Sequence, residues 1–410
     1  MLTAAASFVI VIGAAIALVL FGIVGDGFAG GDQPPIGDNN PPTGSESVGG
    51  DLLAAIRDYI FNTNEDVDHE LGASGPSNGN YIEMTDNQIE GIVEGDLAKA
   101  TDKYIFRING YTLYVYSVDK ESSRLISQLS LPKYSDELND LGNSDLFLSE
   151  DGMTLTLFRE YRCEGAMDKT SVVSIDLLDV TSPRVKAELV IGGEKHTVRR
   201  IGDKFYLITN WYFWKNKIDL KDPKTYLPSI VSAEGQHICP EKNTIFPKSF
   251  NGVSYKYITV LGEGDLKLMD ELALLNVGGE TYFTEKNIIF SSRYYSKTRV
   301  DGKDVNRCFS HIRMVNISGD AMKYGGMITV EGWASNQYSF DEHDGYLRIV
   351  TSTSDRADYE TRMDNASLYI YNLADNSLVS SVEKFAPQGE GAVAVRFEGD
   401  KLYVCTAEIA

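Results

Sequence analysis

A short hairpin pattern that recurs along the chain constrains its fold more than any other feature. The first copy runs from 103 to 118: an aromatic strand (KYIFRI), an Asn-Gly turn and a return strand (LYVYSV). β-Branched and aromatic residues favour strands, and Asn-Gly favours a hairpin turn because both residues tolerate positive φ. Further copies begin at Gly202, Asp344 and Gly399, and weaker ones at Gly152 and Glu285. The pattern predicts an all-β chain.

The spacing of the copies indicates how the hairpins are arranged. They recur at intervals of roughly 50 to 80 residues, with polar insertions in the longest gaps, while propeller blades repeat at about 40 to 50. Each repeat reads as a four-stranded sheet, which can bury both faces only by stacking on its neighbours. A β-sandwich is the alternative, but it predicts no repeat of this period. We therefore predict a β-propeller of four-stranded blades over 85–410.

The number of repeats leaves the predicted propeller incomplete at its C-terminus. We count about five to six blades, the last one beginning at Gly399 and holding a single strand before Ala410. Propellers usually close by joining their first and last blades, because open sheet edges invite aggregation. We expect one or two further blades beyond this sequence.

Three stretches carry a family signal. Residues 85–106 read TDNQIEGIVEGDLAKATDKYIF, residues 336–348 read NQYSFDEHDGYLR, and residues 394–400 read AVRFEGD. With these motifs, residues 85–410 resemble the bacterial and archaeal secreted proteins that carry a C-terminal β-propeller domain distantly related to WD40. Val93 departs from the motif, because the family usually has an acid there. The resemblance implies the fold and a location outside the cytoplasm; the family has no agreed biochemical activity.

The charge balance excludes some partners. The chain has 38 basic and 59 acidic residues and a net charge of −21. Phosphate backbones and anionic membrane surfaces both attract basic proteins, so we expect neither nucleic acid nor electrostatic membrane docking. An envelope protein, a peptide or a glycan remains possible as the partner, and acidic surfaces also simply keep proteins soluble.

The N-terminal segment predicts a membrane anchor. Residues 2–25 carry no charge and are rich in Ala, Val, Ile and Leu. About 20 apolar residues span a bilayer as a helix, whereas the core of a signal peptide is about 7 to 15. We therefore predict that residues 1–25 form a transmembrane signal-anchor helix, with the propeller outside the cytoplasm. Cleavage near Ala29, which would release a secreted protein, is the alternative.

Two segments connect the anchor to the propeller. Residues 26–50 are rich in Gly, Pro and Asp, which is typical of a flexible linker. Residues 51–84 begin with DLLAAIRDYIF, whose apolar positions follow a helical period, and continue as a polar connection. A helix this short predicts docking on the propeller rather than independent folding.

Two groups of residues are candidate binding sites. The most aromatic run is Trp211, Tyr212, Phe213 and Trp214, which follows a strand and could form either a loop-borne binding patch or a cover for a blade edge. The acids before the first hairpin are Glu90, Glu94 and Asp96. They could line an axial channel or hold a cation, or they could cap turns and fix the lead-in chain to the first blade.

The cysteines allow two kinds of bond. Cys163, Cys239 and Cys308 occupy similar positions in successive repeats, so a disulfide between neighbouring blades is conceivable in an oxidising compartment, while Cys405 reads as a buried strand thiol. A zinc site formed by His237, Cys239, Cys308 and His311 is the weaker alternative, because His-x-Cys is not a standard zinc motif. We predict no metal and no cofactor.

No catalytic motif was found by pattern. The sequence contains no HExxH or P-loop pattern, and no GxGxxG after a strand. We therefore name no catalytic residue and expect a membrane-anchored, non-catalytic binding module. The alternatives are an envelope sensor coupled to a cytoplasmic regulator and a propeller hydrolase or lyase with its active site at the channel.

Overall fold

A computed structural model describes residues 7–11, 47–48, 52–61, 91–119, 122–134, 137–163, 167–212, 217–246, 254–300, 303–356 and 362–408. Most of these residues are in β-strands joined by loops and turns, with one α-helix, α1 (Leu52–Phe61), and short 3-10 turns. The chain divides into two compact units. Unit A comprises Glu46–Thr63 and Asn78–Asn276, and unit B comprises Met1–Ser45, Asn64–Ser77 and Val277–Ala410.

Unit A contains strands β2 to β18. Their bounds are β2 Ser47–Val48, β3 Ile92–Glu94, β4 Ala98–Ala100, β5 Tyr104–Asn109, β6 Thr112–Ser117, β7 Leu125–Ser130, β8 Glu137–Leu148, β9 Thr154–Cys163, β10 Lys169–Asp176, β11 Arg184–Gly192, β12 Glu194–Ile201, β13 Lys204–Tyr212, β14 Ser229–Ser232, β15 Gly235–Ile238, β16 Thr244–Phe246, β17 Ser254–Gly262 and β18 Leu268–Leu275.

These strands build three antiparallel blades. The first has the order β4-β5-β6-β7, and the second has β8-β9-β10-β11, extended by the β14–β15 hairpin. The third has β12-β13-β17-β18, with β3 paired on β12 and β16 running parallel to β18. The lead-in strand β3 therefore adds to the third blade, although in sequence it precedes the first.

The recurring hairpins use glycine at a defined turn position. In the first hairpin Asn109 pairs with Thr112, so the two turn residues are Gly110, with φ of 56°, and Tyr111. The expectation that Asn109 itself lies in the turn is wrong by one residue, because the ladder continues through it. Positive φ at the first turn position is the pattern of a type II′ turn, where glycine is strongly preferred. Gly202 and Gly399 hold the same position, with φ of 59° and 55°.

Helix α1 packs on the core of unit A, as its apolar spacing predicts. Its Leu52 and Ile56 are fully buried in the same cluster as Phe147, Phe158 and Phe205. Those three rings meet edge to face, with centroids 5.1 to 5.6 Å apart. Because each ring comes from a different strand of the second and third blades, the aromatic cluster joins these two blades.

Unit B contains β1 and strands β19 to β28. Their bounds are β1 Ser7–Val11, β19 Glu280–Phe283, β20 Asn287–Val300, β21 Lys303–Asn316, β22 Lys323–Glu331, β23 Phe340–His343, β24 Tyr346–Arg356, β25 Arg362–Asn372, β26 Leu378–Val382, β27 Glu390–Glu398 and β28 Lys401–Glu408.

Two four-stranded blades and a shorter sheet make up unit B. The blades are β19-β20-β21-β22 and β23-β24-β25-β26, joined by one pairing between Asn306 of β21 and Arg356 of β24. Strands β27 and β28 form an antiparallel pair, and β1 pairs with β28. In the part of the chain that the structure describes, the four-stranded sheets are thus followed by a smaller sheet of β1, β27 and β28.

Most of the predicted segments before the blades lie outside the described residues. Of residues 1–25 only Ser7–Val11 is described, as strand β1, and of the linker 26–50 only Ser47–Val48 is described. The polar connection 62–84 lies wholly outside. None of the helices described in the structure is long and apolar enough to cross a bilayer. The anchor stays a prediction.

Candidate functional site

The lead-in strand places Glu94 against a basic strand. Glu94 lies opposite Arg199 in the β3–β12 ladder, and its Oε1 is 2.8 Å from Arg199 Nη2. Arg199 also donates from Nη1 to the hydroxyl of Thr197 at 2.7 Å. Both members of the pair are half-buried, so Glu94 fixes the lead-in strand to the third blade. Glu90, the preceding candidate acid, lies outside the described residues.

The turn after β3 fixes the lead-in chain to the second blade. Asp96 exchanges two backbone hydrogen bonds with Leu146, of 3.3 and 2.8 Å. A Cβ on Gly95 would lie 2.4 Å from the Cβ of Asp145, a contact that real side chains do not make. Glycine is therefore required at 95. The carboxylate of Asp96 pairs with Lys99, three residues further on.

A second set of charges lies behind this turn. Lys195 of β12 is buried and forms an ion pair with Asp145 of β8. In the neighbouring pairing Arg200 donates from Nη1 to Glu263 at 3.2 Å and to the carbonyl of Leu148 at 3.0 Å. Each cation crosses from the third blade to a partner in the second blade or to the loop after β17. These bonds hold the blades in register at the lead-in turn.

Glu160 is the chemically unusual carboxyl of this region. It lies in β9 and is only 6% exposed. Burial, followed by the negative charge of Glu194, raises its pKa to about 7, while the charge of Lys195 acts in the opposite direction. A carboxyl in this range exchanges a proton near neutral pH. We call Glu94, Asp96, Asp145, Glu160 and Lys195 the lead-in site, because Lys195 interacts with Glu160 and pairs with Asp145, which lies beside Gly95 of the turn.

Leu97 stands at the centre of the lead-in turn, and its side chain is 70% exposed. It is flanked in sequence by Asp96 and Lys99, which pair with each other. Single exposed apolar side chains are common on protein surfaces, so Leu97 marks a surface position that water reaches. The lead-in site thus combines ion pairs that stabilise the fold with one exposed apolar side chain.

The aromatic run divides at the end of strand β13. Trp211 is 4% exposed and packs edge to face on Tyr255, with centroids 5.7 Å apart. It also fills the space beside Gly192, where a Cβ would lie 2.9 Å from its Nε1. Tyr212 is 40% exposed, and Phe213 and Trp214 lie outside the described residues. The placement of Trp211 in a loop is therefore wrong: it belongs to a strand and to the core.

The candidate zinc ligands make other contacts. His237 Nε2 lies 2.7 Å from Glu271 Oε1, and Cys239 is buried beside it in unit A. Cys308 and His311 belong to β21 of unit B, where His311 Nδ1 lies 3.1 Å from the hydroxyl of Thr329. Burial lowers the pKa of His311 to about 3, so it is neutral. Among the residues that the structure describes, no three His, Cys, Asp or Glu side chains could hold a metal ion together.

The cysteines are mostly buried. Cys163, Cys239 and Cys308 are buried, and Cys405 is partly exposed in β28. Cys163 and Cys308 lie within strands β9 and β21. Burial raises the pKa of the Cys239 thiol, which disfavours the reactive thiolate.

The two later family motifs meet at one arginine. Arg348 donates from Nε to Asp341 at 2.8 Å and from Nη1 to the carbonyl of Gly399 at 2.8 Å, and its guanidinium lies 5.0 Å from the ring centroid of Phe397. Asn336 caps the short turn before them by accepting the Tyr338 N–H at 3.0 Å. These motif residues therefore join a blade to the sheet that follows it.

Sequence reasoning missed Glu160 and Leu97. A signal for Glu160 was present, because Arg159 and Glu160 are adjacent charges inside an otherwise apolar strand (TLTLFREYRC). Buried charges in such a strand are rare unless they have a partner or a role. Leu97 gave no signal, since an apolar residue in a motif reads equally well as core.

Comparisons with known proteins find one curated relative over a short stretch and solved structures of low similarity. An uncharacterized protein of Methanocaldococcus jannaschii is 33% identical over 98 residues, which are 24% of this chain and only 15% of that protein. Among solved structures, the AfRom2 CNH domain has a TM-score of 0.22 at 10% identity, covering 77% of this chain and 95% of that one. A glucose dehydrogenase has a TM-score of 0.21 at 10% identity, covering 66% and 95%.

These solved structures are too distant to support an argument about fold or activity. The family comparison is direct, because a sequence model described as "Beta propeller domain" matches residues 83–409. The matched residues include the repeated four-stranded sheets described above. This chain belongs to the beta-propeller domain family.

Proposed function

We propose that this chain is a membrane-anchored propeller outside the cytoplasm that binds an envelope protein without catalysing a reaction. The observation that carries the proposal is Leu97, an exposed apolar side chain on a turn that ion pairs hold in place. A fixed apolar anchor surrounded by charge is typical of the centre of a binding surface. The acids Glu94 and Asp96 already neutralise Arg199 and Lys99, so they act as supports rather than as catalysts.

The charge of the chain indicates the chemistry of the partner. A net charge of −21 attracts basic surfaces and raises the rate of encounter with them at low ionic strength. We propose a protein segment that presents an apolar side chain next to lysine or arginine. Its apolar side chain would pack on Leu97, and its basic groups would lie in the negative field around Glu160 and Glu194.

A pair of leucines provides the test. Leu97 and Leu178 are 70% and 71% exposed, both lie on turns of unit A, and only Leu97 belongs to the lead-in site. Full-length Leu97→Asp and Leu178→Asp are compared with the wild type in envelope co-purification. We expect Leu97→Asp to abolish recovery of a specific partner and Leu178→Asp to preserve it. Equal recovery by all three proteins would contradict the proposal.

The anchor is tested separately. A periplasmic-type reporter, such as alkaline phosphatase fused after Glu408, should be active and should sediment with membranes. Deletion of residues 1–25 should abolish both. An inactive reporter in a cytoplasmic fraction would exclude the location but not the binding role of Leu97, so the two parts of the proposal can fail independently.

One observation favours the enzymatic alternative. Glu160 has a pKa of about 7 and lies near Glu194, and general acids work best with a pKa close to the working pH. A hydrolase or lyase using Glu160 would lose activity in Glu160→Gln, and its pH–rate profile would bend near that pKa. Screening the wild type against polysaccharides and esters, with Glu160→Gln as the control, decides this alternative.

A further inference from the structure

Arg159 is a buried arginine whose charge has no carboxylate partner among the described residues. It lies in β9, on the second blade, and is only 1% exposed. An arginine side chain stays positively charged in proteins, and a buried charge is costly unless it is paired and hydrogen-bonded. Among the ion pairs between described residues, none includes Arg159.

The guanidinium of Arg159 is only partly satisfied. Its Nη2 donates to the carbonyl of Pro132 at 2.9 Å, and its plane lies 4.9 Å from the ring centroid of Tyr111. Its Nε and Nη1 are buried and donate no hydrogen bond. Two charged donor groups are therefore held in place by a carbonyl and a ring, with no acceptor of their own.

The adjacent Glu160 does not serve as the counterion. Successive residues of a strand point to opposite faces of the sheet, so Glu160 and Arg159 face apart. The charges that act on Glu160 are those of Glu194, Lys195, Asp168 and Arg162. Arg159 faces the first blade, towards Tyr111 and Pro132.

A second cation lies on the same ring. Lys133 Nζ is 4.9 Å from the ring centroid of Tyr111, the same distance as the Arg159 guanidinium. Lys133 is exposed, whereas Arg159 is buried, so the two cations lie at different depths around one aromatic ring. Tyr134, which follows Lys133, and Tyr161, two residues after Arg159, stack on each other with centroids 4.8 Å apart. Two cations beside aromatic rings are a suitable environment for a planar anion such as a carboxylate.

We propose that Arg159 binds the carboxylate of a small organic acid at the junction of the first and second blades. The carboxylate supplies acceptors for Nε and Nη1, and Lys133 attracts it from solvent. A singly charged carboxylate fits better than phosphate, because the net charge of −21 repels multiply charged anions more strongly. Nothing in the proposed partner-binding role of Leu97 requires this site.

Acetate is the probe, with the full-length protein at constant ionic strength. Binding is followed by broadening of the acetate methyl signal in proton NMR and by the melting temperature. We expect the wild type to broaden the signal and Arg159→Met to lose at least about tenfold in affinity, since charge-assisted hydrogen bonds are removed. An acetate signal broadened equally by wild type and Arg159→Met would overturn the proposal.

A pair of lysines keeps the test decisive if Arg159→Met fails to fold. Lys133 and Lys103 are both exposed residues of the first blade, but Lys103 precedes β5 and Tyr111 follows it. Lys103 and Tyr111 are therefore separated by the length of a six-residue strand, at about 3.4 Å per residue. We expect weaker acetate binding in Lys133→Gln and wild-type binding in Lys103→Gln. Equal binding by both variants would contradict the proposal.

Competition distinguishes the carboxylate from other anions. Chloride and phosphate are added at matched ionic strength to the acetate-bound wild type. We expect acetate to remain bound in chloride and in phosphate. Release of acetate by phosphate at lower concentration would reject the carboxylate assignment, and equal release by both salts would indicate only general screening.

Discussion

Two buried arginines, Arg159 in unit A and Arg348 in unit B, have the same surroundings except for one group. Each donates to a backbone carbonyl of a neighbouring sheet, Pro132 at 2.9 Å and Gly399 at 2.8 Å. The Cζ of each guanidinium lies over an aromatic ring, at 4.9 Å from the centroid for Arg159 and at 5.0 Å for Arg348. Among the described residues, a carboxylate partner is present for Arg348, that of Asp341, and not for Arg159. One arginine is thus complete as a structural tether, and the other retains donors for a ligand.

The largest expected effect comes from breaking the complete member of the pair. Arg348→Met removes three hydrogen-bonding nitrogens and leaves Asp341 without its cation. Breaking a buried pair typically costs about 3 to 5 kcal/mol. We expect a loss in this range in the free energy of unfolding, measured by urea denaturation. A loss below about 1 kcal/mol, which is typical of exposed pairs, would remove the distinction between the two arginines.

A pH series tests whether Glu160 is the hidden counterion of Arg159. The folded pKa of about 7 lies above the ordinary value of 4.5, so the folded state binds more protons between these values. Stability should therefore fall as pH rises from 4.5 to 7, by roughly 3 kcal/mol in total. We expect Glu160→Gln to abolish this slope and Arg159→Met to keep it. A slope lost in Arg159→Met would show that the two charges act together.

Removing the carboxylate partner of Arg348 gives it the surroundings of Arg159 and so tests the comparison directly. Asp341→Asn leaves Arg348 buried beside a neutral amide, which makes it resemble Arg159. We expect a loss of roughly 2 kcal/mol in unfolding free energy, because a charge-assisted bond becomes a neutral one. Acetate should restore part of the unfolding free energy that Asp341→Asn loses, and it should have no such effect at Arg348 in the wild type. No recovery by acetate would mean that donors and ring alone do not make an anion site.

The smallest effect is expected for the incomplete member. Arg159→Met removes one carbonyl hydrogen bond and a ring contact, but it also removes an uncompensated buried charge. Replacing a buried charge by an apolar side chain of similar volume is often neutral or stabilising. We expect a change within about 1 kcal/mol in a urea titration without acetate. A loss as large as that of Arg348→Met would indicate a structural tether at Arg159 as well.

The hairpins were predictable because their signals are local. Gly202 and Gly399 mark turns that demand positive φ, and the strands that follow are aromatic or β-branched. Helix α1 was predictable for the same reason, since Leu52 and Ile56 recur at helical spacing. The repeat period also predicted the four-stranded blades, because the strands of one blade are close together in the sequence.

The environment of each strand was not predictable from its pattern. Strands β9, β13 and β17 are buried on both faces, so the alternation that separates core from surface is absent. Trp211 could therefore not be assigned to the core, nor Arg159 and Glu160 to opposite faces. Arg199, the partner of Glu94, and Gly399, which accepts from Arg348, lie about 100 and about 50 residues away in sequence, beyond any local pattern.

The long strands β20 and β21 have a consequence for how unit B opens. Each has 14 residues, but β22 pairs only with Phe309–Asn316 of β21, so the other half of the hairpin extends beyond its blade. That extension reaches Arg356 of β24 in the next repeat through Asn306. Repeat arrays usually unzip one module at a time. Here the pairing of Asn306 with Arg356 links two repeats. We therefore expect the two repeats to open as one cooperative unit, with their amides exchanging with deuterium together.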